Sequence, residues 1–411
     1  MLYERKILNQ IKKVIERDEF IIINGARQTG KTSALIMLKS FLEEKGEKCH
    51  YFNLENNEYL NLLNKRPYNI FELLPKSRTK QYVFIDEIQY LDDPTNFLKL
   101  NFDEKRSEIK IIASGSSSFY IDKKFQDSLA GRKFLFELFT LNFDEFLVFN
   151  KQEELIGQKG GKLSAYYGKI IADLWESYLI YGGYPKVVLA EDEEMKKILL
   201  EDIGTSYVKK DIADAGIKNI AKYFSLLKIL ASQAGQLVNS QEIAATLGIA
   251  RKTADEYLYV MGKSYQAAFI RPFWRNLRKE LTKMPKVYFY DLGLRNFFLN
   301  DYDPIAKRRG KGSYLENVIF RELLFRTEDM DKIKFWRTQD KKEVDFVVGN
   351  EAYEIKFNSG KKEQVFISGF GEFRNKESGK KYEKFKEQYP EIKFNFLGYE
   401  DILGKFYGWE L

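Results

Sequence analysis

The run Gly25-Ala26-Arg27-Gln28-Thr29-Gly30-Lys31-Thr32 constrains this chain more than any other stretch. An apolar run, Phe20–Asn24, enters it, and a helix-forming run leaves it at Lys31. Glycines let a backbone wrap closely enough for its amides to point at phosphate oxygens. The N-terminus of the following helix adds a dipole that favours negative charge. The pattern and its strand–loop–helix setting both match a P-loop. They predict a parallel α/β fold in which residues Gly25 to Thr32, with Ser33, cradle nucleotide phosphates. Lys31 would reach the β- and γ-phosphates, and Thr32 would ligate Mg2+.

A second motif weakens the alternative of a chance glycine-rich turn. Tyr82-Val-Phe-Ile-Asp86-Glu87 is an apolar strand that ends in two acids. Asp86 is expected to hold magnesium through water and Glu87 to polarise the attacking water, so the expected cofactors are ATP and Mg2+. An acid directly after the magnesium aspartate marks the nucleotidases with an extra strand between the two motif strands, the group containing AAA+ proteins. In that group the strand Lys110–Ser114 carries a γ-phosphate sensor, with Ser114 or Ser116 as candidates. A loop with a helix cap is the other reading of Ser114-Gly-Ser-Ser-Ser118. Hydrolysis there often needs an arginine from a neighbouring subunit. Arg132, in Ser128-Leu-Ala-Gly-Arg132, is the candidate, with an ordinary surface arginine as the alternative.

The 411 residues exceed one compact core, and the patterning suggests four segments. An AAA+-like core spans 1–141, with strands Phe20–Asn24, Cys49–Leu54, Tyr82–Asp86, Lys110–Ser114 and Lys133–Phe139. Its expected helices are Lys31–Lys45, Tyr59–Leu74, Pro94–Lys105 and Phe119–Ser128. A helical lid or linker region follows over 142–223, broken at Gly182, Gly183 and Pro185. The last two segments are a winged helix-turn-helix over 224–311 and a C-terminal α/β domain over 312–411. One cysteine, Cys49, and one histidine, His50, exclude internal disulfides and leave no basis for histidine-centred zinc or triad chemistry. No apolar run is long enough to span a bilayer, and no signal peptide is visible. A cytoplasmic protein without membrane association is expected.

Charge is unevenly spread. Residues 1–150 hold 23 basic and 22 acidic side chains, whereas residues 251–300 hold 10 basic and 4 acidic ones. A concentrated basic patch is the usual footprint of a polyanion partner. In the winged-helix reading, Ser240 caps the second helix, Gln241–Leu247, and the third helix begins at Arg251. Arg251, Lys252 and Thr253 would then meet DNA, and a wing between Ala268–Trp274 and Lys286–Tyr290 would add Arg275, Arg278 and Lys279. Packing of domains or oligomers is the competing role for this module.

Near the C-terminus, Glu343-Val-Asp345-Phe-Val-Val-Gly349-Asn350-Glu-Ala-Tyr-Glu354-Ile-Lys356 reads as a hairpin turning at Gly349-Asn350. The register pairs Val348 with Glu351, Asp345 with Glu354, and Glu343 with Lys356. Opposed carboxylates repel unless a cation lies between them, which makes magnesium the expected occupant. Asp345, Glu354 and Glu316 would be its ligands, and Lys356 would orient or activate a water. A solvated face with a Glu343–Lys356 ion pair is the alternative.

With these residues in view, the chain resembles bacterial and archaeal ATP-binding proteins that join an AAA-type ATPase domain to a DUF4143 C-terminal region. The matching stretches include Gly25–Thr32, Asp86-Glu87-Ile-Gln89, Tyr181-Gly-Gly-Tyr-Pro185, Tyr314-Leu-Glu316-Asn317, Glu343-Val-Asp345-Phe346 and Glu354-Ile-Lys356. The resemblance implies an AAA+-like ATPase, a winged helix and a restriction-endonuclease-like domain of the PD-(D/E)xK type. By that similarity, the nuclease-type residues are Glu316, Asp345, Glu354 and Lys356, with Val344 standing where the pattern has proline. The leading expectation is an ATP-hydrolysing protein that remodels or translocates on duplex or branched DNA and self-associates, a hexamer being one form. The competing expectation is an ATP-state switch that binds a protein partner and carries an inert nuclease-like domain.

Overall fold

Five short strands build the sheet that positions the phosphate loop: β1 Phe20–Asn24, β2 Cys49–Asn53, β3 Gln81–Asp86, β4 Ile109–Gly115 and β5 Lys133–Glu137. All neighbouring pairs are parallel, in the order β2-β3-β4-β1-β5. β4 thus lies between β1 and β3, as the Asp86-Glu87 pair predicts. The structure is a computed structural model that describes residues 3–116, 129–161, 163–273, 280, 283–357, 365–366, 372–373 and 376–409. The expected helix Phe119–Ser128 lies outside the described residues. Two units emerge, one from residues 1–151, 183–218 and 258–266, the other from 152–182, 219–257 and 267–411.

In the first unit, alternation along the strands sorts side chains into two layers. Phe20, Ile22, Val83, Ile85, Ile109 and Ile111 pack with Phe97, Leu98 and Phe102 of the helix Pro94–Lys105. Ile21, Ile23, Phe84 and Ile112 pack with Leu35, Leu38 and Leu42 of the helix Lys31–Glu44. A parallel sheet covered on both faces buries its strands on both sides, which explains their nearly continuous apolar runs. The expected helix Tyr59–Leu74 is shorter, Asn57–Lys65, followed by a tighter turn over Pro67–Glu72. Pro67 is the reason: it forces Arg66 into an extended conformation (φ −156°, ψ 136°) and offers no amide to continue the helix.

Arg5 ties three parts of this unit together. Its guanidinium donates to Glu145 Oε1 (2.9 Å), to the Thr29 carbonyl in the phosphate loop (2.8 Å) and to the Phe139 carbonyl (2.9 Å). Glu145 also closes a capping box with Asn142 at the start of the helix Phe143–Phe149.

The second unit holds a mixed sheet with the order β13-β10-β9-β8-β6-β7. Its strands are β6 Ala267–Pro272, β7 Lys286–Phe289, β8 Ile333–Arg337, β9 Glu343–Val348, β10 Glu351–Ile355 and β13 Lys393–Leu397; a separate ribbon pairs β11 Val365–Phe366 with β12 Glu372–Phe373. β6 and β7 pair antiparallel, as expected for a wing. The cap of the helix Ser240–Leu247 is Asn239, not Ser240: the Asn239 side chain accepts the amides of Gln241 (3.1 Å) and Glu242 (3.4 Å). Asparagine one position earlier reaches both free amides, so it displaces serine from that role. Gly182 sits at φ 75°, and a Cβ there would come within 2.1 Å of Asp291 Oδ1, so only glycine fits. Among the described residues, no helix is long and apolar enough to cross a membrane.

The β9–β10 hairpin turns at Gly349-Asn350 and follows the expected register from Val348↔Glu351 to Phe346↔Tyr353. Beyond that the strands part, because the Ile355 amide donates to the Asp345 side chain (2.7 Å) rather than to a β9 carbonyl. The expected opposition of Glu343 and Lys356 therefore does not form. Lys356 pairs with Glu354 (3.0 Å), and Glu343 turns to Arg337 on β8 (2.5 Å).

Arg5→Met should lower the stability of the first unit by about 3–5 kcal/mol, since it leaves the Glu145 carboxylate buried without its cation. Calorimetric unfolding checks this: a single transition shifting down while the other holds its position is the expected result.

Candidate nucleotide site and a carboxylate cluster

The phosphate loop follows β1, and its shape is fixed by close approach. A Cβ on Gly25 would lie 2.2 Å from the Leu138 carbonyl oxygen. Gly30 adopts φ 95° as the residue before the helix Lys31–Glu44, a conformation glycine takes without strain. Thr29 Oγ1 donates to the Ala26 carbonyl (2.9 Å), closing the turn from inside. The buried Lys31 ammonium donates to the carbonyls of Ala26 (2.8 Å) and Gly25 (3.0 Å). Burial lowers its pKa to about 8, against the pull of Glu87 and Asp86.

Asp86 ends β3 with 1 % of its surface exposed, so its charge depends on donors. Thr32 Oγ1 donates to it at 2.6 Å and Tyr51 OH at 2.7 Å, and Ser114 Oγ donates to its other oxygen. The Glu87 backbone amide in turn donates to Ser114 Oγ (3.1 Å), so one serine ties the Asp86 carboxylate to the Glu87 main chain. Gln89 bridges outward, donating to Glu87 Oε2 and to Ser116 Oγ (2.8 Å). The hydroxyl of Thr32 and the carboxylate of Asp86 are hard oxygen donors converging at one point, which fits a magnesium ion held partly through water.

A cleft of about 430 Å3 opens over this loop. Arg27, Lys31, Thr32 and Glu87 line one side of it, and Lys186, Tyr207 and Lys210 line another. Arg27 fastens the two sides: it donates to Asp211 (3.0 Å) and Asp214 (2.7 Å) on the helix Val208–Asp214. Asp211 also accepts from Gln266 (3.2 Å). Burial pushes its pKa up to about 6 despite Arg27. Tyr51, Gln89, Lys186, Tyr207, Lys210 and Asp211 are site residues that sequence reasoning did not assign. Of these, Gln89 stands in the matching stretch Asp86-Glu87-Ile-Gln89, and Tyr51 lies on β2, the strand beside β3.

Arg132 stands elsewhere. Its carbonyl accepts the amide of Phe20 at the opening of β1 (2.9 Å), and its side chain pairs with Asp103 (2.7 Å). The loop lies beyond the other end of β1, and a strand of that length spans roughly 15 Å at about 3.3 Å per residue. Arg132 is therefore at the sheet edge opposite the phosphate loop of its own chain.

In the second unit, Glu316, Glu343 and Asp345 come together around an ammonium, whereas the expected trio was Glu316, Asp345 and Glu354. Lys286 Nζ lies 2.5 Å from Glu343, 3.5 Å from Glu316 and 3.9 Å from Asp345, with 1 % of its side chain exposed. Burial lowers its pKa, yet the three carboxylates together raise it above the ordinary lysine value. Tyr288 OH donates to Glu316 (3.1 Å). Glu354 is set apart, between Lys381 (2.5 Å) and Lys356 (3.0 Å). Burial, then Glu316 and Glu354, push Asp345 well above the usual carboxylate range. A magnesium ion shared by Glu316, Glu343 and Asp345 does not fit this arrangement, because Lys286 already stands among those three. No group of three or more acids, among the described residues, is arranged to hold a metal.

Arg251 and Lys252 are exposed at the start of the helix Arg251–Lys263, and Thr253 is half-buried. Arg251 also faces Asp255 across one helical turn (3.7 Å). Arg275, Arg278 and Lys279 lie outside the described residues.

Asp211→Asn tests the burial of the Arg27 partner. Below about pH 4 Asp211 is protonated in both folded and unfolded chains, and its raised folded pKa contributes stability that is lost as pH rises through 6. Relative to the asparagine variant, the wild type should therefore lose up to about 3 kcal/mol between pH 4 and 7. Urea unfolding of both proteins across that range measures it.

Family models match three parts of the chain: an AAA domain over residues 17–147, a domain of unknown function (DUF8612) over 172–304, and another (DUF4143) over 311–394. An uncharacterised protein of Haemophilus influenzae is 28% identical over 361 residues, covering 84% of this chain and 84% of its own. An uncharacterised protein of Methanocaldococcus jannaschii is 27% identical over 379 residues, covering 86% of this chain and 80% of its own. Among solved structures, the Holliday junction branch migration motor RuvB of Thermotoga maritima aligns with a TM-score of 0.35 and 16% identity, over 68% of this chain and 95% of that one. With its phosphate loop, its acid pair and the inserted strand β4 all in one parallel sheet, this chain is an AAA-type ATPase carrying a C-terminal DUF4143 region.

Proposed function

We propose that this ATPase acts on DNA, coupling hydrolysis to remodelling of, or movement along, duplex or branched molecules. The observation that carries the reading is the cationic opening of the helix Arg251–Lys263. It follows the helix Ser240–Leu247 after a left-handed turn at Gly248 (φ 61°). In a helix-turn-helix that end of the third helix enters the major groove. Arg251 is 68% exposed there, with Lys252 and Thr253 beside it. The expected wing residues Arg275, Arg278 and Lys279 belong to the same basic segment, and contacts of that kind to phosphates give affinity with little sequence readout.

At the nucleotide site, Lys31 would hold the β- and γ-phosphates, and Thr32 and Asp86 would hold Mg2+. Glu87 would orient the attacking water, and Ser114, bonded to both acids, would report the state of the γ-phosphate. Arg132 would serve the site of an adjacent copy, which requires self-association; a closed ring such as a hexamer supplies one such arginine per site. The C-terminal unit, with a nuclease-like hairpin, would recognise DNA.

The cage around Lys286 favours a second reading, a nucleotide-state switch for a protein partner with an inert C-terminal domain. ATP turnover measured with and without duplex, forked and four-way DNA at low salt separates the two. Stimulation by any of them is expected. Slow turnover indifferent to all of them, without DNA binding, would reject the DNA reading and leave the switch.

The shared site has its own test. Lys31→Ala should lose nucleotide binding, whereas Arg132→Ala should bind ATP normally and lose roughly a thousandfold or more in turnover. Mixing the two variants should restore part of the hydrolysis, since Arg132 of the first then faces nucleotide held by the second. Full activity of Arg132→Ala alone would remove it from the site.

A further inference from the structure

The carboxylates that the resemblance makes metal ligands are largely answered by the chain itself, the exception being Glu354 Oε2, which is buried without a hydrogen-bond partner. Lys286 sits among Glu316, Glu343 and Asp345. Glu343 is bracketed by Lys286 and Arg337, each at 2.5 Å. Lys381 (2.5 Å) and Lys356 (3.0 Å) both approach Glu354 at Oε1. The remaining polar contacts are neutral donors: Tyr288 OH to Glu316 and the Ile355 amide to Asp345. Four acids thus face four cations in a largely buried cluster, and no net negative charge is left over.

Space is as tight as charge. Gly235, at φ 83°, packs its backbone over Glu316, where a Cβ would lie 2.7 Å from the carboxylate oxygen. Magnesium keeps several of its waters and demands near-octahedral geometry, so it needs both room and uncompensated charge. A dication beside the buried Lys286 ammonium would be repelled in a medium that screens poorly.

We infer that Lys286 is a built-in counter-cation standing in the position of a catalytic metal, so that the C-terminal unit holds its nuclease-like geometry without a divalent ion and does not cleave phosphodiesters by metal activation. The acids and the lysine then serve to lock β7, β9 and the helix Lys311–Thr327 together. That role is independent of whether the ATPase acts on DNA, and the experiment below involves neither DNA nor turnover.

The test is a Mn2+ titration of the nucleotide-free full-length protein, followed by electron paramagnetic resonance, on wild type, Asp345→Asn, Lys286→Met and the Lys286→Met/Asp345→Asn double variant. Methionine keeps the length and volume of the lysine stem and removes only the charge. Wild type and Asp345→Asn should bind Mn2+ indistinguishably, while Lys286→Met should gain one bound ion that the double variant loses. A wild-type site that disappears in Asp345→Asn would overturn the inference. So would a folded Lys286→Met that gains no ion, since the lysine would then not be holding a cation's place. Where Lys286→Met fails to fold, the comparison of wild type with Asp345→Asn decides alone, equal binding supporting the inference and a lost ion overturning it.

Discussion

The buried carboxylate of Asp86 is the constraint on which the nucleotide site depends. A carboxylate can only accept, and one with 1 % of its surface exposed must be given donors or lose its charge. The chain supplies three hydroxyls from three different elements: Thr32 at the start of the helix after β1, Tyr51 on β2, and Ser114 on β4. Each donor is deliverable only because β3 lies between β2 and β4, with β1 on the far side of β4. The strand order is therefore not a background to the site. It is what allows a single charge to be solvated by protein from three sides, and it fixes the loop, the acid pair and Ser114 in one frame.

Much of that frame was legible in the sequence because its determinants are local. The five strands announce themselves as short apolar runs, and the loop glycines are required by conformations read within a few residues of Gly30. The hairpin register was legible for the same reason, since a tight turn at Gly349-Asn350 sets every pair up to Phe346 and Tyr353. It stopped being legible where a side chain replaced a backbone partner. Once Asp345 takes the Ile355 amide the ladder ends, and alternation no longer says what Glu343 faces. Contacts that join distant stretches left no sequence signal. Arg5 meeting Glu145, Arg27 meeting Asp211 and Lys286 meeting Glu343 are separated by intervals that no periodicity encodes.

The lid side of the nucleotide cleft shows what such long-range pairs accomplish. Arg27 belongs to the phosphate loop, yet its guanidinium is committed to Asp211 and Asp214. Burial of this pair opposes the ionisation of Asp211 more than Arg27 favours it. Pairs of that kind contribute little net stability but enforce one geometry, because removing either partner strands the other. The loop and the helix Val208–Asp214 are consequently held in register, and Lys186 and Lys210 remain facing the phosphates' side of the cleft.

The two acidic sites differ in the kind of donor they use, and that difference decides which of them suits a metal. At Asp86 the hydrogen-bond donors are neutral hydroxyls and at Glu87 a glutamine amide, and the Lys31 ammonium is the nearby charge that both acids attract. Glu316, Glu343 and Asp345 instead surround one ammonium, that of Lys286, which lies nearest Glu343. The sequence shows acids on an apolar strand in both places, at the end of β3 and at the start of β9. Only the identity of the partners, drawn from different parts of the chain in each case, separates acids held by neutral donors from acids gathered around an ammonium.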